Sequence, residues 1–255
     1  MPRHTLSDAQ FNRIRHLLPG KPGDRGRTAT NNKLFLEAVL FVASNGGRWR
    51  DLPERFGKWN SVFVRFNRWS KRGVWQRLFE SVQDPDLEWL MVDSTILRVH
   101  QDAAAAKKGG PSELANHREG FGHSRGGLTT KLHVACDALC NPVRFALTGG
   151  QAPDGHEMLP LIAGLDAGAV LADAAYDSDA HRAALSAGGI GAVIKPNGAR
   201  SAKPPFDREV YRERNQVERL IGRLKRYRRI GTRYEQTARN DLSVVHAVST
   251  LILLA

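Results

Sequence analysis

Between Tyr211 and Lys225 the sequence YRERNQVERLIGRLK sets acids among a crowd of cations, and one acid has a distinctive place. At about 100° per residue, a helix over this stretch puts Tyr211, Arg214, Glu218 and Lys225 on one stripe, and Gly222 shares it. Val217, Leu220, Ile221 and Leu224 make a separate apolar stripe. One side can therefore pack while another presents a carboxylate flanked by phosphate-seeking groups. The plainer reading is an i,i+4 ion pair between Arg214 and Glu218 on a solvated face, contributing about 0.2–0.5 kcal/mol. Spacing alone leaves both readings open.

Two aspartates upstream have comparable claims. LEWLMVDSTILRVH reads as a strand through about Val99, apolar on both faces except for Asp93, Ser94 and Thr95, as in the centre of a covered sheet. A buried mid-strand carboxylate is costly unless it is paired or binds a cation, which makes Asp93 a metal-ligand candidate. AVLADAAYDS gives a short apolar strand ending at Asp173, and an acid there faces the functional edge of an open α/β sheet. His133 and His156 read as structural. Cys136 and Cys140 are spaced poorly for zinc and read as buried thiols of a reducing compartment.

The elements that must carry these acids follow from the same sequence. TTKLHVACDA and NPVRFALTGG alternate around a turn at Asn141-Pro142 and predict two antiparallel strands joining that of Asp93. A helix over 157–167, the strand ending at Asp173, a helix from Ser178 and the strand GAVIKPN complete an α/β, RNase H-like mixed sheet of three antiparallel strands followed by βαβ units. Between Asp93 and Asp173 lie 79 residues, and between Asp173 and Glu218 lie 44, too few for an inserted β-rich domain. Residues 101–127, rich in Ala, Lys and Gly, read as a long mobile loop.

The N-terminal part is helical. Ser7 and Gln10 form a capping box, Asn32 opens an apolar helix to about Ala43, and a third helix over 61–72 sets Val62, Phe66 and Trp69 against Arg65, Arg68 and Arg72. This predicts a helix-turn-helix-like domain over 1–82, with Arg65 and Arg68 as DNA-binding candidates, and a catalytic domain over 83–255. Trp49, Trp59 and Trp69 are expected in the core. Residues 1–80 hold sixteen basic and six acidic side chains, residues 81–198 nine and fourteen, and residues 199–233 twelve and four. A basic, acidic, basic pattern suits a polyanion such as DNA with a hard-cation site in the middle. The opening MPRHTLSDAQ has no apolar signal core and the apolar end is short, so a cytoplasmic protein without a membrane role is expected.

The pattern Tyr, two residues, Arg, three residues, Glu, six residues, Lys resembles the signature of DDE transposases of bacterial insertion sequences. The segments WRDLP…RFNRW, VDST, SRGGLTTK, LADAAYDS and the Tyr211–Lys225 stretch extend the resemblance to the insertion-sequence-five group over nearly the whole chain. Ala174-Ala175 departs from it, since a basic residue and a glycine are expected before Tyr176. The resemblance implies Asp93, Asp173 and Glu218 as catalytic ligands of two Mg2+ or Mn2+ ions. It also implies that Tyr211, Arg214, Lys225 and Arg125 contact DNA, that terminal inverted repeats are cleaved and joined to target DNA, and that two protomers bridge the ends in a bacterial, nucleoid-associated complex. An RNase H-like nuclease without strand transfer, or a non-catalytic repressor, would carry many of the same residues.

Overall fold

Ser7 and Gln10 exchange both bonds of the capping box, Gln10 N donating to Ser7 Oγ at 3.1 Å and Ser7 N to Gln10 Oε1 at 2.9 Å, and so start α1 (Asp8–Ile14). In this computed structural model, which describes residues 5–24, 26, 28–104, 119–124 and 126–255, the chain divides into two compact units. The first comprises residues 1–83, 99–110 and 224–255, so the units do not follow sequence order. Asn31, one residue before the expected start, caps α2 (Asn32–Asn45), and α3 spans Trp59–Lys71. Gly73, at φ +64°, takes the left-handed turn that lets α4 (Val74–Glu80) begin at once.

Aromatic rings fill the centre of this unit. Phe35 meets Trp69 edge-on at 4.9 Å, Trp49 lies 4.9 Å from Phe66, and Phe66 lies 5.6 Å from Trp75. Trp49 and Trp69 are buried as expected, whereas Trp59 is only half-buried beneath the Arg50 guanidinium.

The second unit comprises residues 84–98 and 111–223 and is built on a mixed sheet. Strand β1 (Trp89–Val99) pairs antiparallel with β3 (Gly127–Cys136), which pairs antiparallel with both β2 (Gly122–Ser124) and β4 (Pro142–Gly149). After α5 (Met158–Ile162), β5 (Ala169–Ala172) joins the other edge of β1 in parallel. Ser178 caps α6 (Asp179–Ala187), and β6 (Gly191–Ile194) extends the parallel side. The order β4-β3-β1-β5-β6, with the first three antiparallel and the rest parallel, is the RNase H-like arrangement.

Two helices differ from the expectation. The helix over 157–167 closes at Ile162 because Arg144 Nη1 takes the carbonyls of Leu161 at 3.0 Å and Ala163 at 2.8 Å, and Gly164 then turns at φ +73°. The single helix over Tyr211–Lys225 is two, α7 (Arg208–Arg212) and α8 (Asn215–Lys225). Between them the backbone makes tight three-residue bonds, Arg214 N to Tyr211 O and Val217 N to Arg214 O, and Asn215 Nδ2 takes the Arg212 carbonyl at 2.7 Å. The C-terminal α9 (Ala238–Leu253) packs within the first unit against α2, α3 and α4.

Candidate active site

Leu90, Val92, Val170, Ala172 and Ile194 join one core cluster with Met158, Leu161 and Leu185, which assigns that face of the sheet to α5 and α6. Strand alternation turns Met91, Asp93, Leu171 and Asp173 to the opposite face. Met91 pairs with Leu171, and Asp93 and Asp173 each lie two residues further along. The ladder closes at that pair, and the same register carried two residues on sets the two aspartates side by side past it, near enough for the Asp173 charge to act on Asp93. Asp173 keeps extended backbone and accepts Ala175 N at 2.9 Å, so its carboxylate also starts the helical turn Ala174–Tyr176. The departure at Ala174-Ala175 leaves that turn formed.

Asp93 is largely enclosed, with 18% of its side chain exposed. Its Oδ1 accepts the Ser94 amide at 2.7 Å and its Oδ2 accepts Arg214 Nη1 at 3.0 Å. Burial raises its pKa, and the Asp173 charge adds to that, against the pull of the Ser94 amide and Arg214. Arg214 Nη2 donates to Glu218 Oε1 in the first turn of α8. Burial works against the Arg214 charge, yet the acidic groups beside it, the Asp93 carboxylate first, outweigh that and raise the Arg214 pKa above its ordinary value. The structure thus joins Asp93, Arg214 and Glu218 in one chain of contacts. Arg214 occupies the place between carboxylates that a metal-ligand set would give to a cation. Among the described residues no three His, Cys, Asp or Glu side chains close into a metal-holding group.

The donors nonetheless suit a hard divalent cation. Asp93 and Asp173 offer carboxylate oxygens from one face of the sheet, the oxygen donors that a hard cation takes. Glu218, with 57% of its side chain exposed, reaches Asp93 through Arg214.

The sequence reading missed a second polar cluster behind Asp93. Ser94 Oγ donates to Asp154 Oδ1 at 2.6 Å, and the Lys131 ammonium meets the same oxygen at 2.7 Å and the Ala152 carbonyl at 2.6 Å. Burial raises the Asp154 pKa, but Lys131 and Ser94 outweigh it and hold the carboxyl below its usual range. The signal was present, since Lys131 lies mid-strand in TTKLHV and raises the same question as Asp93. His133 is buried, its Nε2 2.8 Å from Thr148 Oγ1, while His156 is exposed.

Other candidates are placed differently from one another. Tyr211 packs edge-on against Phe206 at 5.4 Å, with the Arg214 guanidinium 5.9 Å above its ring, and Lys225 ends α8 exposed. Arg65 lies over Phe35 at 4.2 Å and Trp69 at 4.9 Å and donates to Asn32 Oδ1, so its head is committed inside the fold. Arg68 is exposed. Arg125 and residues 105–118 of the expected loop lie outside the described residues.

A family model described as "Transposase DDE domain" matches residues 85–253, two thirds of the chain. The chain belongs to the DDE transposases. Residues 6–79 of the transposase also match a family described as "Putative transposase of IS4/5 family". A protein of Brucella ovis, "Putative transposase for insertion sequence element IS6501", is 42% identical over 130 residues, 50% of this chain and 99% of its own. The y4sN protein of Sinorhizobium fredii is 49% identical over 104 residues, 40% of this chain and 83% of its own. A solved chain of a pre-cleavage Mos1 transpososome aligns over 91% of this chain and 81% of its own at 12% identity, with a TM-score of 0.28, too distant to bear on the site. The transposase is an enzyme acting on DNA, of a family that uses divalent metal ions. No helix among its described residues is long and apolar enough to cross a membrane.

Proposed function

We propose that this DNA transposase cleaves phosphodiesters at the terminal inverted repeats of an insertion sequence, and transfers the freed strand, at a site made of Asp93, Asp173 and Glu218. The observation that carries this reading is the shared row of Asp93 and Asp173 with Arg214 joining Asp93 to Glu218. Those carboxylates would hold two Mg2+ or Mn2+ ions, which supply activation of the attacking oxygen and charge neutralisation at the phosphate. The chain's own part is to fix the geometry. Ser94 N orients Asp93 Oδ1, and the bond from Ala175 N orients Asp173. Arg214 serves as the stand-in cation until DNA arrives, then turns its fork to a phosphate, where guanidinium binds bidentately. Tyr211 and Lys225 position the backbone, and Arg68 contributes from the basic N-terminal unit. Two protomers would bridge paired ends, in the cytoplasm and on the nucleoid.

Glu218→Gln tests the reading. It keeps shape and removes charge from an exposed side chain, so cleavage of end-containing DNA in Mn2+ should fall at least a hundredfold while the melting temperature barely changes. Retained metal-dependent cleavage would reject Glu218 as a ligand.

A further inference from the structure

The row that holds Asp93 and Asp173 has a third member. Leu171 pairs with Val193 in the parallel β5–β6 ladder, so Lys195, two residues beyond Val193, stands level with Asp173. The pairing reaches that level, because Lys195 N donates to Ala172 O at 3.3 Å. Ile194 points into the core shared with α5 and α6, which turns Lys195 to the face that carries the two aspartates. With the β1–β5 register carried past its last pair, the row across three adjacent strands thus reads carboxylate, carboxylate, ammonium. Lys195 is exposed, and among the described residues no ion pair engages its ammonium.

The segment carrying this lysine is clamped from both sides. Asp177, whose side chain is 0% exposed, accepts Arg182 Nε at 2.8 Å, Arg200 Nε at 2.5 Å and the Asn197 amide at 2.7 Å. Arg182 Nη2 in turn donates to the Ile194 carbonyl at 2.9 Å. One buried carboxylate therefore fixes the backbone on either flank of Lys195, tighter anchoring than a solvated surface lysine receives.

We propose that Lys195 binds a phosphate of the DNA strand lying over the carboxylate row, with Asp177 and Arg182 as the positioning residues that hold it there. The proposal rests on the reading of Asp93 and Asp173 as the site. A strand brought to two carboxylates places its neighbouring phosphates along their row, and a cation level with them offsets the repulsion that those acids exert on the polyanion. A lysine suits this task as a point charge that needs no fixed fork geometry.

The test uses the full chain with supercoiled plasmid as the DNA probe, and compares wild type with Lys195→Ala and Lys195→Arg. Lys195→Ala should raise KM for Mn2+-dependent nicking roughly tenfold with kcat within about threefold. The slope of log affinity against log salt, measured in chelator, should fall by about 0.9, and Lys195→Arg should restore both. Asp177→Ala should raise KM in wild type but not in the Lys195→Ala background. Unchanged KM and unchanged salt slope in Lys195→Ala would overturn the proposal. The binding arm reads Lys195 even without nicking. Nicking by wild type that survives Asp93→Asn would instead reject the carboxylate site.

Discussion

Arg214 Nη1 lies 3.0 Å from Asp93 Oδ2, a contact spanning 121 residues of sequence. It couples the break between α7 and α8 to the centre of the sheet. With both side chains under one fifth exposed, the pair is shielded enough to matter, and Arg214 extends it to Glu218 with its other terminal nitrogen. A guanidinium there competes with any metal for the same carboxylates.

Removing that competitor should separate binding from catalysis. Arg214→Gln should tighten Mn2+ binding in the absence of DNA, because Asp93 and Glu218 lose their internal counter-charge, while DNA cleavage falls. Calorimetric Mn2+ titration of the two proteins checks this. An affinity unchanged or weaker in the variant would show that Arg214 does not stand in for the cation.

The pH dependence follows from Asp93. Its pKa is raised by burial, so the folded state favours the protonated form, and stability from that form is lost as pH rises through the raised value. Metal binding requires the carboxylate, so cleavage should rise with pH through a value above the ordinary carboxylate range. More Mn2+ should shift that limb to lower pH by competition with protons. Rate–pH profiles at two Mn2+ concentrations measure both effects, and a limb indifferent to metal would detach Asp93 from it.

Buried His133 predicts a separate acid limit on stability. Burial pushes its pKa down to about 4, so the folded state resists protonation that the unfolded chain accepts. Its stabilisation is whole above the ordinary imidazole value of about 6.5 and is lost as pH falls through about 4, a total of roughly 3 kcal/mol at most. His133→Gln should flatten the fall in melting temperature between pH 6.5 and pH 4. An equally steep fall in the variant would assign the acid limit elsewhere.

The cluster behind Asp93 should behave as a unit. Lys131→Met leaves Asp154 without its ammonium and should cost about 1–3 kcal/mol, discounted because Asp154 is 27% exposed. Lys131→Met combined with Asp154→Leu should cost less than the sum of the two single changes. Chemical denaturation of the four proteins closes the cycle, and strict additivity would show that the two groups do not support each other.

Arg65 and Arg68 should separate by kind of effect. Arg65→Ala removes a guanidinium lying on two aromatic faces and should cost about 1–2 kcal/mol of stability. Arg68→Ala should leave the melting temperature alone and lower the salt slope of DNA binding by about 0.9. Melting curves and salt titrations of both variants distinguish these roles. A reversed pattern would make Arg65 the DNA contact.

Much of this transposase follows from local sequence. The capping box at Ser7, the strand of Asp93, the turn at Asn141-Pro142 and the placing of Asp173 past its strand all depend on hydrophobic period and terminal chemistry, which act within a few residues. The expectation that Asp93 needs a partner also came from sequence, since a carboxylate in an apolar strand is costly in any fold. Only the tertiary structure decided which partner it has. Arg214 reaches Asp93 because the helix expected over Tyr211–Lys225 breaks at Glu213 and Arg214, where Asn215 takes the Arg212 carbonyl, a competition that apolar periodicity does not register. Arg65 looked like a free cation on a helical stripe until Phe35 and Trp69 closed beneath it. Lys131 and Asp154 meet only because β3 and the turn after β4 converge, and Lys195 joins the row of Asp93 and Asp173 only through strand register. Register and side-chain pairing are set by contacts between residues distant in the chain, so no window of the sequence contains them.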